Sequence, residues 1–313
     1  MKDLWQLTGD ERREALESQR DLAERIRQRG HTFHWEDGAQ TPMLDIDSSE
    51  VASVASMFTD QQLHWAGGWE RDNAHSFIGG TVKDVRRLAR EGDLAIVRKA
   101  EAMAKELDRA LPATGQMYPR PVASVAGGGL SVPAYLGGSP VCFQRPVYGE
   151  DATQPVKIRV ALNALGSYSA KQLRRRAMCI VGLAKLISAI RPVDLACYQY
   201  SYMQGKPKGG ACVIYRLGCR PVDWSMAGAL LGSPAMYRGL SWALIAMLEG
   251  HGDGDSSSIA FGRGSRAELL GLDPAKDLHF GPWENDVEDP MEWVREHLDK
   301  FLNGEPVFDV KRK

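Results

Sequence analysis

Val156-Lys157-Ile158-Arg159-Val160-Ala161-Leu162, running into Asn163-Ala164-Leu165-Gly166-Ser167-Tyr168-Ser169, is the stretch on which the fold turns. Its first half alternates, with Val156, Ile158, Val160 and Leu162 on one side and Lys157 and Arg159 on the other, which predicts a strand. Ser169 and Gln172 then make a capping-box pattern, in which each side chain can satisfy the other's backbone N–H at a helix start. The helix should reach Ile190, with Leu173, Ala177, Ile180, Val181, Ala184 and Ile187 on its inner face. Downstream, Val193–Tyr200 and Ala211–Leu217 read as strands. The turn-rich Gln204–Gly210 between them predicts a hairpin. Helical segments over Asp223–Leu231 and Pro234–Glu249, a short strand at Ser257–Phe261, and a last helix from Asp289-Pro290 to Leu302 complete this half.

Upstream the texture is helical. Thr8 and Glu11 suggest a cap for a helix over Asp10–Arg29, with Gly30 as its stop. Its stripe of Leu16, Leu22 and Ile26 is sparse, so an exposed arm or partner-facing helix is expected. The polar His31–Ser48 reads as a loop or short hairpin. Helices are expected over Ser49–Phe58, Thr81–Arg90 and Leu94–Leu111. Residues 112–154 are rich in Gly and Pro and read as a long ordered loop. The expected organisation is therefore a helical N-terminal region (1–111), that loop (112–154) and an α/β domain (155–313).

Composition narrows the function. Of 313 residues, 39 are Lys or Arg and 40 are Asp or Glu, a formal net charge of −1 that gives no general polyanion-binding footprint. No apolar run approaches the roughly 20 residues of a bilayer span, and the first 30 residues are too charged for a secretory leader. A cytoplasmic protein without membrane contact is expected. Its five cysteines, Cys142, Cys179, Cys197, Cys212 and Cys219, include no CxxC pair and read as structural thiols.

A strand, the Asn163–Ser169 turn, a long helix and then a strand hairpin together resemble the opening of a von Willebrand factor A-type domain. The resemblance spans about Pro155 to Leu302 and implies a doubly wound α/β sheet. In that family the first strand ends in Asp-x-Ser-Gly-Ser, whose side chains hold a divalent cation above the sheet. Here Asn163 stands for the Asp and Leu165 for the first Ser, while Gly166 and Ser167 match. Phe261 precedes Gly262-Arg263-Gly264 where the family has an acid-bearing loop, and an arginine there would oppose a cation. This region and the Gly-rich loop are also similar to uncharacterised bacteriophage proteins, which would place the chain in a host cytoplasm. The resemblance thus implies a noncatalytic interaction module, with no metal or cofactor, meeting a protein partner through Asn163, Ser167, Ser169 and Arg263.

Other chemistry is weaker in the sequence. Gly262-Arg263-Gly264-Ser265-Arg266-Ala267 fits G-x-G-x-x-A, but a short helix and no acid about 20 residues on argue for an ordinary turn. His251-Gly252-Asp253-Gly254-Asp255-Ser256 has loop composition and no EF-hand continuation. The alternative function is a nucleic-acid-binding accessory protein using Arg174, Arg175, Arg176, Lys206 and Lys208, with Trp65, Trp69, Tyr198, Tyr200 and Tyr202 as stacking surfaces.

Overall fold

The computed structural model describes residues 6–34, 38, 40–66, 79–110, 120–124, 129–130, 136, 143–147, 154–162, 169–202, 210–219, 221–249, 260–261, 270–273, 277–281 and 287–305. The deciding strand is β6 (Val156–Ala161), and the capping box opens α6 (Ala170–Ile190) as its sequence requires. Ser169 Oγ accepts from Gln172 N at 3.3 Å, and Gln172 Oε1 accepts from Ser169 N at 2.9 Å. The six inner-face residues named above are all fully buried. Next come β7 (Val193–Tyr202) and β8 (Cys212–Arg216), paired antiparallel as the expected hairpin.

Two N-terminal strands extend this sheet. The stretch read as a loop or short hairpin is the hairpin of β1 (His31–His34) and β2 (Gln40–Asp47), and β2 lies parallel to β8 with Met43 opposite Cys212. On the other flank β10 (Leu278–Phe280) joins β6 in parallel. Among the described residues the order is β1-β2-β8-β7-β6-β10, with β9 (Ala260–Phe261) pairing antiparallel to the far end of β7. The strand expected at 257–261 thus does not flank β6. β10 takes that place, and an antiparallel β9 is not the strand that a dinucleotide-binding turn follows. The Gly/Pro-rich segment departs from a plain loop. It contains β3 (Arg120–Ser124), β4 (Gly129–Leu130) and β5 (Phe143–Val147), a separate antiparallel sheet in the order β3-β5-β4.

Among the described residues the main helices are α1 (Gly9–Arg29), α2 (Val51–Ser56), α3 (Asp60–Ala66), α4 (Val82–Glu91), α5 (Leu94–Ala110), α6, α7 (Trp224–Gly232), α8 (Trp242–Glu249) and α9 (Pro290–Leu302). Their buried apolar residues form one cluster with Leu44, Ile46, Ile158, Val160, Leu195, Cys197, Val213, Tyr215, Leu278 and Phe280, which share one face of the sheet. The opposite face buries Met43, Ala161, Ala196, Tyr198, Tyr200, Cys212 and Ile214 against Leu270 and Leu272. The doubly wound expectation needs helices on both faces. Among the described residues they pack on one.

The first helix also differs from its expectation. Leu22, Ala23 and Ile26 are at most 1% exposed, and α1 packs along α8, where Arg27 Nε donates to Met247 O at 3.2 Å. Three apolar positions at helical spacing are enough to seat a helix whose other faces are charged. Thr8 does precede the first turn, but its side chain makes no cap bond. No described helix is long and apolar enough to cross a membrane.

One close approach positions the start of α5. Asp93 N donates to Ser225 O at 2.8 Å, and a Cβ on Gly228 of α7 would stand 2.6 Å from Asp93 O. Only a glycine admits that contact. Gly228→Val should therefore destabilise the protein by about 1–3 kcal/mol, the usual cost of overpacking. A urea-unfolding midpoint unchanged from the parent would refute this account of the helix contact.

Candidate functional site at the C-terminal edge of the sheet

The chain leaves β6 through α6 to β7 on one side, while β10 docks on the other. Such a reversal parts the connections above the strand ends and opens a crevice, which is where open α/β sheets bind ligands. The last paired residues of β6 and β10 are Val160 and Phe280. Just beyond them, Arg176 fills the gap. Its Nη1 donates to Ala161 O at 3.1 Å and its Nη2 to Gly281 O at 2.9 Å, with the residue 2% exposed. The guanidinium thus joins two strands past the end of their ladder, and its planar fork can span both carbonyls where a lysine could not.

Beside it lies a buried polar layer on the π-helical segment Ala235–Ser241. The Arg238 guanidinium lies 5.1 Å from the centre of the Tyr237 ring. Burial pushes the Tyr237 phenol up to about 12 and pulls the Arg238 pKa down; nearby Arg238 and Arg176 partly offset the phenol's shift. Gln199 of β7, with its amide oxygen toward the indole, accepts from Trp242 Nε1 at 2.8 Å and donates to Tyr237 O at 2.9 Å. Tyr215 and Ser241 share a 2.7 Å hydrogen bond, and Ser201 Oγ donates to Glu249. These bonds hold the irregular helix against β7 and β8, so the two buried arginines stay near one sheet edge.

On the opposite face, Tyr198 reaches over the small Ala161 to His279. The Tyr198 hydroxyl lies 2.7 Å from His279 Nε2, and the rings stack with centroids 5.8 Å apart. Burial, and secondarily the Arg176 charge, lowers the His279 pKa to about 4. The imidazole is therefore neutral at neutral pH and suits a hydrogen bond from the phenol. Next to it, Arg159 Nη2 meets Asp194 Oδ2 at 2.7 Å. The arrangement supplies a fixed positive potential and neutral hydrogen-bonding groups. No three His, Cys, Asp or Glu side chains converge as metal ligands among the described residues.

Of the residues expected at this edge, Ser169 is described, and its hydroxyl is engaged in the helix cap. Asn163, Ser167 and Arg263 lie outside the described residues, as do Lys206, Lys208 and the 251–256 segment. The arginine run does not form one patch, because successive helix residues point about 100° apart. Arg174 is exposed, Arg175 Nη1 donates to Val287 O at 2.8 Å, and Arg176 is inside. Trp65, Tyr198 and Tyr200 are buried, so they offer no stacking surface, while Trp69 and the side chain of Tyr202 lie outside the described residues. Sequence reasoning missed Arg176 as a core residue. Its signal was its place three after Leu173 and four before Ile180, on the apolar stripe itself.

The cysteines are free where described: Cys179, Cys197 and Cys212 are buried and Cys219 is partly exposed. Burial raises Cys179 and Cys197 to about 12, the state of inert structural thiols. Cys142 lies outside the described residues.

A family model for a domain of unknown function, DUF7192, matches residues 40–277. No curated protein and no solved structure matches the chain.

Two measurements test the edge. Arg176→Met removes both charge-assisted bonds and leaves two carbonyls unpaired, so it should cost about 3 kcal/mol in urea unfolding; a loss within error of zero would rule out the bridge. His279 takes up a proton in the unfolded chain near pH 6.5 but in the folded one only near pH 4. The unfolded state therefore binds more protons across that window, and stability falls as pH drops through it, by up to about 3 kcal/mol. His279→Gln should flatten the difference in unfolding midpoint between pH 4.5 and pH 7. An unchanged difference would show that another group titrates.

Proposed function

The chain belongs to the DUF7192 family, a domain of unknown function, and on that premise we propose that it is a noncatalytic protein-interaction module with a von Willebrand A-like sheet that meets its partner at the C-terminal edge. The observation that carries the reading is Arg176. A cation-dependent domain of that type needs oxygen ligands at the crevice, whereas here a guanidinium supplies the positive charge from within the protein. The order of elements supports the likeness: β6, α6, β7 and an antiparallel β8, with β10 on the far flank of β6. In this reading Asn163, Ser167 and Arg263 contact the partner, while Ser169 fixes the helix behind them.

A built-in charge makes partner binding independent of divalent cations. Affinity capture with the tagged full chain should recover a discrete protein that persists after nuclease and in EDTA. The same protein should be lost from an Asn163→Ala, Ser167→Ala, Arg263→Ala triple variant. Release by EDTA, retention by the variant, or recovery of nucleic acid alone would each overturn the proposal.

A further inference from the structure

Outside the sheet edge, the N-terminal ends of α5 and α6 enclose a groove of about 470 Å³. The two helices run in the same direction: the groove joins residues 93–99 to 171–178, and further along both helices Gly182 meets Met103 and Lys185 pairs with Glu101. The first turns of both helices therefore meet at one place, each capped by a side chain, Asp93 on α5 and Ser169 on α6. Its walls carry Lys99, Lys171, Arg174 and Arg175, over a floor of Ile96 and Met178. Lys99, Lys171 and Arg174 are exposed and make no ion pair or hydrogen bond among the described residues. Asp93 is the acid in the lining, and its Oδ1 accepts from Ala95 N at 3.0 Å and Ile96 N at 3.3 Å, which turns that carboxylate toward the helix cap.

Three unpaired cations in one groove repel one another, and here they do so in a chain whose total charge is −1. The half-buried Arg86, by contrast, donates to Ala55 O and Phe58 O and pairs with Asp60 at 3.1 Å. The volume lies within the roughly 300–1,000 Å³ range of small-ligand sites, and is short of the extended stripe that a duplex needs. The apolar floor adds a surface for an uncharged moiety.

We propose that the groove formed by Lys99, Lys171 and Arg174 binds a small ligand bearing a diphosphate group. This site goes beyond the partner-binding edge and is independent of it. Lysines act as point charges on phosphate oxygens, and Arg174 can engage two of them at once. Ile96 and Met178 would lie under the group attached to the diphosphate.

Isothermal titration of the full chain with inorganic pyrophosphate and with ADP tests this. Both should bind, more weakly as salt is raised, and Lys171→Ala and Arg174→Ala should each weaken binding by about tenfold or more. These side chains are exposed, so circular dichroism and melting should be unchanged. Lys99→Ala offers an independent third variant. The edge triple variant should bind pyrophosphate as the parent does, which separates failure of this site from failure of the partner-binding reading. Absence of heat with both probes at millimolar concentration would overturn the proposal. So would affinity indifferent to all three substitutions, or binding of a single-stranded oligonucleotide that pyrophosphate fails to displace.

Discussion

A single guanidinium holds the C-terminal end of this sheet together. β6 and β10 stop pairing after Val160 and Phe280, and Arg176 carries the connection one residue further through two carbonyl oxygens. Burying a cation costs several kcal/mol, so the site persists only because both carbonyls accept from it and α6 holds it rigidly. That helix is fixed in turn by Ser169 at its cap and by six buried aliphatic positions along the sheet. The same charge bears on Tyr237 in the helix layer and on His279 across the sheet.

Where regular pattern and local chemistry coincide, the sequence is readable. The alternation of β6, the Ser169–Gln172 cap, the inner face of α6 and the Asp289-Pro290 start of α9 are all short-range signals, and each is observed. The β7–β8 hairpin followed from a turn-rich linker. β2 was harder to read because its partner β8 lies some 170 positions away, and nothing in Gln40–Asp47 announces a parallel neighbour. β10 has three residues, too few to show a period.

The candidate site was less legible than the fold, for a physical reason. Arg174-Arg175-Arg176 reads as one basic run, yet a helix separates its members into a solvated cation, a half-buried one bound to the Val287 carbonyl, and a core cation. Composition cannot carry that distinction. Tertiary partners assign it, and the carbonyls that receive Arg176 come from β6 and from beyond β10. The groove was invisible for the same reason, since Lys99 and Lys171 meet only once α5 and α6 align.

The parallel pairing of β2 with β8 also governs how the chain can assemble. Met43 opposes Cys212, so the loop closed by this contact spans more than half of the protein. Closing such a loop costs entropy before any ladder bond returns it, which makes long-range parallel pairing slow. On the ribosome, residues 31–47 emerge long before β8 exists. During that interval β2 is an open edge carrying Met43, Leu44 and Ile46, all buried in the finished protein. Its protection until β8 arrives is a kinetic demand that the folded structure itself no longer displays.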